Sequence, residues 1–88
     1  MFNFPNPFTN HTSIVYALPT SGKVKLIITN MYGQTLRTLV DDNQAAGVYT
    51  VNVDPSELNL VPGVYLYKIE SAGATDTYTK VNKMIYAR

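Results

Sequence analysis

A chain of 88 residues, 45% hydrophobic, suits one small domain with one core, and the lack of cysteine excludes a disulfide scaffold, a thiolate metal site and a cysteine nucleophile. Its net charge is +1, with seven Lys and Arg spread along the chain, so no electropositive surface is built for nucleic acid. The chain does not open on a basic segment followed by an apolar run of signal-peptide length, and no apolar stretch is long enough to span a bilayer.

Residues 1–8 read as a linker leading into a module that occupies residues 9–88. From there the hydrophobic period is two. Ile14, Tyr16 and Leu18 share one face of a first strand, and a turn cluster follows at residues 19–22. Val24, Leu26 and Ile28 then alternate with Lys23, Lys25 and Thr29, the pattern of a strand with one wet face. Asn30-Met31-Tyr32-Gly33 supplies a turn in which Gly33 is free to take positive φ, before extended structure resumes over 34–40.

Asp41-Asp42-Asn43-Gln44 reads as a second turn, and residues 47–53 alternate again, with Tyr49, Val51 and Val53 favoured for burial over Val48. Asp54 as N-cap, Pro55 at the first helical position and Glu57 three residues on predict a single helical turn. Pro62-Gly63 turns the chain into a strand over 64–70, with the face choice between Tyr65/Tyr67 and Val64/Leu66 open. A turn over 71–75 and two strands, 76–80 and 81–87, complete a count of seven.

Seven short strands with no helix long enough to cover a sheet predict an all-β antiparallel sandwich, with a barrel of the same strand count as the alternative. The expected core is Ile14, Tyr16, Leu18, Val24, Leu26, Ile28, Leu36, Val51, Tyr65, Tyr67, Ile69 and Ile85. The closing run Lys83-Met84-Ile85-Tyr86-Ala87-Arg88 is basic, apolar and strand-forming. Its local pattern sets Met84 and Tyr86 against one sheet face, with Lys83 and Arg88 in water.

The inventory is poor for catalysis. His11 is the single histidine, and no Gly-x-Ser-x-Gly elbow accompanies it, so neither a zinc site nor a hydrolase triad is indicated. Adjacent Asp41 and Asp42 point to opposite sides of an extended segment and cannot form an acid and base pair. The glycines are dispersed turn glycines that form no phosphate cradle. These residues predict no enzyme activity, no cofactor, no metal and no small-molecule substrate. Abundant tyrosine leaves a carbohydrate-binding or structural accessory module of a secreted enzyme as the alternative function.

Six segments, in order, resemble a known family. They are Phe4-Pro5-Asn6-Pro7-Phe8, the run from Leu18-Pro19 to Lys23-Val24, Asn30-Met31-Tyr32-Gly33-Gln34, Ala46-Gly47-Val48-Tyr49, Pro62-Gly63-Val64-Tyr65-Leu66-Tyr67 and Lys83-Met84-Ile85. Together they are similar to the C-terminal sorting domain of the type IX secretion system, which is related to the immunoglobulin-like domain of the flagellar hook-capping protein. The resemblance implies an immunoglobulin-like sandwich that directs an N-terminally fused cargo across the outer membrane of a bacterium of the Bacteroidota.

Its implied partners are the outer-membrane translocon and the associated shuttle and sortase proteins. The implied route runs through the periplasm to the cell surface or medium, often with later cleavage and surface attachment. Lys83, Met84, Ile85, Tyr86 and Arg88 fall where the family carries its terminal signal. Pro5, Asn6, Pro7, Phe8, Gly33, Gly47, Tyr49, Gly63 and Tyr65 match internal motifs, with turn geometry and core filling as their simpler role. Thr9-Asn10-His11 and a longer connection over 54–63 depart from the family pattern.

Overall fold

The computed structural model describes residues 1–73 and 77–88. Seven strands, β1 (Phe2–Phe4), β2 (Thr12–Leu18), β3 (Gly22–Thr29), β4 (Thr35–Gln44), β5 (Gly47–Val53), β6 (Gly63–Ala72) and β7 (Thr77–Tyr86), form two sheets. One has the order β1-β2-β5 and the other β4-β3-β6-β7, with every strand pair antiparallel. Because no named strand belongs to both sheets, the architecture is a sandwich, not a barrel.

Alternation creates the core. Ile14, Tyr16 and Leu18 of β2 face Val24, Leu26 and Ile28 of β3 and Tyr65, Tyr67 and Ile69 of β6, all buried. Each such side chain contributes about 1.5–3 kcal/mol by leaving water. The open face choice in β6 is thereby decided, since Val64 is exposed and Leu66 half-buried. Two register shifts on β4 bypass Leu39 and Leu36, which pack with Val40 against the core from an edge strand.

Several local expectations are corrected. Residues 41–44 are the end of β4 rather than a turn, paired with Gly22, Lys23, Val24 and Lys25. Their polar side chains suit an edge strand, and Lys23 Nζ lies 3.2 Å from Asp41 Oδ1. The two expected closing strands are one unbroken β7, while the seventh strand comes from the leading segment, where Phe2–Phe4 pairs with β2. Of the expected turn over 71–75, Ser71 and Ala72 instead continue β6, paired with Tyr78 and Thr77, while residues 74–75 and the strand start at Asp76 lie outside the described residues. Leu36 and Val51 are half-buried at the margin of the core, whose interior instead includes Phe8, Val53 and Met84.

The predicted helical turn after β5 forms as a run of turns over 55–59, with the Leu58 amide donating to Asp54 O at 3.2 Å. Asp54 Oδ1 accepts hydrogen bonds from the Ser56 amide (3.0 Å) and hydroxyl (2.8 Å), which hold its carboxyl below the usual range. Arg37 Nε donates to Leu58 O at 2.8 Å and ties this connection to β4.

A buried polar chain links the leading segment to β6 and β7. Asn3 Nδ2 donates to Thr12 Oγ1 (3.2 Å), whose hydroxyl donates to Pro5 O (2.8 Å). Tyr67 OH donates to Asn3 Oδ1 (3.0 Å) and accepts from Asn82 Nδ2 (3.4 Å), which also donates to Met1 O (2.6 Å). Burial pushes the Tyr67 phenol up from its ordinary value, and the Asn82 contact opposes that shift.

The same segment then crosses to the other sheet, through cis peptides at Phe4-Pro5 and Asn6-Pro7, and closes on the outer edge of β7. Asn6 Nδ2 donates to Lys83 O (3.2 Å), and Asn6 Oδ1 accepts from the Ile85 amide (2.9 Å). Phe8 continues this edge as a parallel bridge to Tyr86, its amide donating to Ile85 O (3.0 Å) and its carbonyl accepting from the Ala87 amide (2.7 Å). The Phe8 and Tyr86 rings stack at 5.3 Å. Residues 83–86 are therefore held on both sides, by β6 and by the leading segment, and Ala87 by the leading segment alone.

Two outcomes follow. Tyr67→Phe leaves the buried Asn3 Oδ1 without its donor and is expected to cost about 1–2 kcal/mol. Thermal unfolding should then show a midpoint lower by about 5–10 °C, whereas an unchanged midpoint would show that the bond contributes nothing. In hydrogen exchange, the outward amides of Ile85 and Ala87 are expected to be protected and those of Thr79 and Val81, on the open part of the same edge, to exchange freely. Equal protection of all four would remove the distinction.

Candidate recognition surface on the seated terminal strand

Alternation along β7 divides the closing run between two environments. Met84 points into the sandwich and is fully buried, and Tyr86 on the same side packs against Phe8. The expectation that Met84 and Tyr86 close one sheet face therefore holds, while Ile85, expected in the core, lies half-buried on the opposite face. Lys83 shares that outer face and is exposed, as is Arg88 beyond the strand.

Register supplies the neighbours of these outward residues. Ile85 stands opposite Val64, Lys83 opposite Leu66, and Val81 opposite Lys68. Ile27 of β3 lies in the next column opposite Lys68 and is buried although it faces outward. The β6–β7 hairpin thus presents a patch in which Val64, Leu66, Val81 and Ile85 surround Lys83, with Val64 and Val81 openly exposed. Lys68 is held by Glu70, Nζ to Oε1 at 3.1 Å, but Lys83 has no carboxylate partner among the described residues.

The remaining motif residues have packing or turn duties. Pro5, Asn6, Pro7 and Phe8 form the crossing just described, with only Phe8 buried. Gly33 has φ 85°, inside the region that favours glycine, and Gly63 opens β6 opposite Tyr86. Gly47 opens β5 two residues before Tyr49, whose ring stacks on Tyr16 at 5.4 Å and whose hydroxyl donates to Ala45 O at 2.7 Å. Tyr65 is buried and its hydroxyl donates to Val61 O.

His11 is exposed in the connection before β2 and shares a shallow depression with Asp54 and Glu57. No group of three or more His, Cys, Asp or Glu that could hold a metal occurs among the described residues. No local pattern in the sequence announces the hold of Asn6 and Phe8 on residues 83–87. Two X-Pro steps flanking one Asn mark an unusual backbone path, but its target lies 77 residues away along the chain.

The family profile described as secretion system C-terminal sorting domain matches residues 3–86. No curated protein and no solved structure matches the chain. The profile spans β1 through the end of β7, and the two sheets have the sandwich architecture expected of an immunoglobulin-like domain. The domain is a sorting signal carried on cargo of the type IX secretion system, which implies a partner in that machinery and export to the cell surface or extracellular space. The chain belongs to the family of type IX secretion system C-terminal sorting domains.

Proposed function

We propose that this domain is read as a folded address label through the outer face of its β6–β7 hairpin. Lys83 and Ile85 supply the contacts on the terminal strand, with Arg88 at its end and Val64, Leu66 and Val81 completing the patch. Met84 and Tyr86 act indirectly, by seating the strand in the core and against Phe8. The observation that carries this reading is the alternation of β7, which buries Met84 and turns Lys83 and Ile85 outward on a strand fixed along both edges. A cluster of exposed apolar side chains with polar neighbours is the composition of a protein-binding patch.

In this reading the domain is a substrate of the machinery, not an enzyme. It passes through the periplasm fused behind its cargo and meets the outer-membrane translocon with its shuttle and sortase proteins. The functional unit includes residues 1–8, because Asn6 and Phe8 hold the strand that is read.

The test fuses the domain behind a signal peptide and a reporter in a bacterium that has the secretion system. Replacing both outward residues, Lys83→Glu with Ile85→Ser, is expected to lower export by about tenfold or more. The reporter should accumulate in the periplasm while the thermal midpoint of the purified domain changes little. Export of the double variant at the unmodified rate would sink the assignment of this face. Retention of the unmodified fusion would sink the sorting reading itself.

A further inference from the structure

Six of the seven tyrosines have a use within the fold. Tyr16, Tyr65 and Tyr67 are buried, Tyr49 and Tyr78 donate their hydroxyls to the carbonyls of Ala45 and Ala17, and Tyr86 stacks on Phe8. Tyr32, at the tip of the β3–β4 hairpin, is 90% exposed and has no hydroxyl or ring partner among the described residues. Its neighbour Met31 is 55% exposed.

The tip cannot readily fold these side chains away, because Asn30 fastens it from several directions. The Asn30 amide donates to Gln34 O (3.1 Å), and its carbonyl accepts from the Gly33 amide (3.1 Å). Its side-chain Oδ1 accepts from the amides of Tyr32 (2.9 Å) and Gln34 (3.0 Å), and Nδ2 donates to Gln34 Oε1 (2.7 Å). An aromatic side chain on a backbone already ordered loses little entropy on binding, which is the condition under which tyrosine becomes a dominant contact.

Position relates the tip to the terminal strand. Thr29, where β3 ends, stands opposite Leu66, and Leu66 stands opposite Lys83, so the column of Lys83 is two strand spacings away, about 10 Å. Beyond Thr29 the tip rises at the level of Val64 and Ile85, at the end of the four-stranded sheet that also carries exposed Val61.

We propose that Tyr32 and Met31 are a preformed anchor for a folded protein of the secretion machinery, one that offers an apolar pocket to the tip and carboxylates to Lys83. This rests on the sorting reading and adds a second contact outside the terminal strand. The ammonium of Lys83, without a carboxylate partner among the described residues and beside an apolar surface, selects an acidic rim on the partner.

The test compares the reporter fusion with a variant carrying Met31→Ser and Tyr32→Ser, substitutions that keep both backbone amides and all of the Asn30 bonds. Export is expected to fall about tenfold or more, while the purified variant keeps the unmodified thermal midpoint. Sedimentation of the unmodified domain should show a monomer. Export of the double variant at the unmodified rate would overturn the anchor and leave the sorting reading intact. So would a clear drop in midpoint, which would mean that the two side chains pack within the fold, or a dimer abolished by the substitutions, which would make a second copy the occupant. If the unmodified fusion stays in the periplasm, the sorting reading fails and the anchor falls with it.

Discussion

Four hydrogen bonds from Asn6 and Phe8 to residues 83–87 decide what the end of this chain can present. Without them the outer edge of β7 would offer unpaired amides and carbonyls along its whole length, an invitation to pairing with other chains. With them, the last part of that edge is closed and only the stretch before it is open. Each bond contributes a net of about 0.5–1.5 kcal/mol, a substantial share for a domain whose size implies modest stability. The stack of Phe8 on Tyr86 adds apolar burial at the same place.

Closure of this edge changes how the terminal run can be recognised. Addition of a partner strand across residues 83–87 would have to displace the leading segment first. Side chains on the outer face meet no such obstacle, so Lys83 and Ile85 are available while the domain stays folded. In the proposed reading fold and signal are therefore coupled: the residues that make β7 a strand are the ones that decide which of its side chains face outward. Asn3, Tyr67 and Asn82 extend the coupling inward, since their buried chain connects the leading segment to β6 and β7.

The sandwich was legible because alternation in β2 and β3 is strong enough to assign both faces from local pattern, and nine of the twelve expected core residues are buried; in β6, apolar on both faces, local pattern left the choice open. Residues 41–44 were misread for a physical reason: Asp and Asn are turn formers in isolation, yet on an edge strand their side chains remain in water and the backbone still pairs. Phe2–Phe4 is too short to register as a periodic run, and its pairing depends on β2. The role of Asn6 was invisible because it consists of contacts across almost the entire chain. Met84 and Ile85 are both apolar; alternation puts them on opposite faces, and the pairing of Met84 with buried Tyr65 and of Ile85 with exposed Val64 shows which face is the core.

Recognition of a seated strand differs from recognition of a linear tag in one direct way. A reporter that carries only residues 83–88 at its C-terminus, behind a signal peptide and a flexible linker, has every terminal side chain but neither β6 nor the leading segment. In a bacterium with the secretion system it is expected to remain in the periplasm while the full domain is exported. Export of that reporter at the rate of the full domain would contradict recognition through the folded hairpin face.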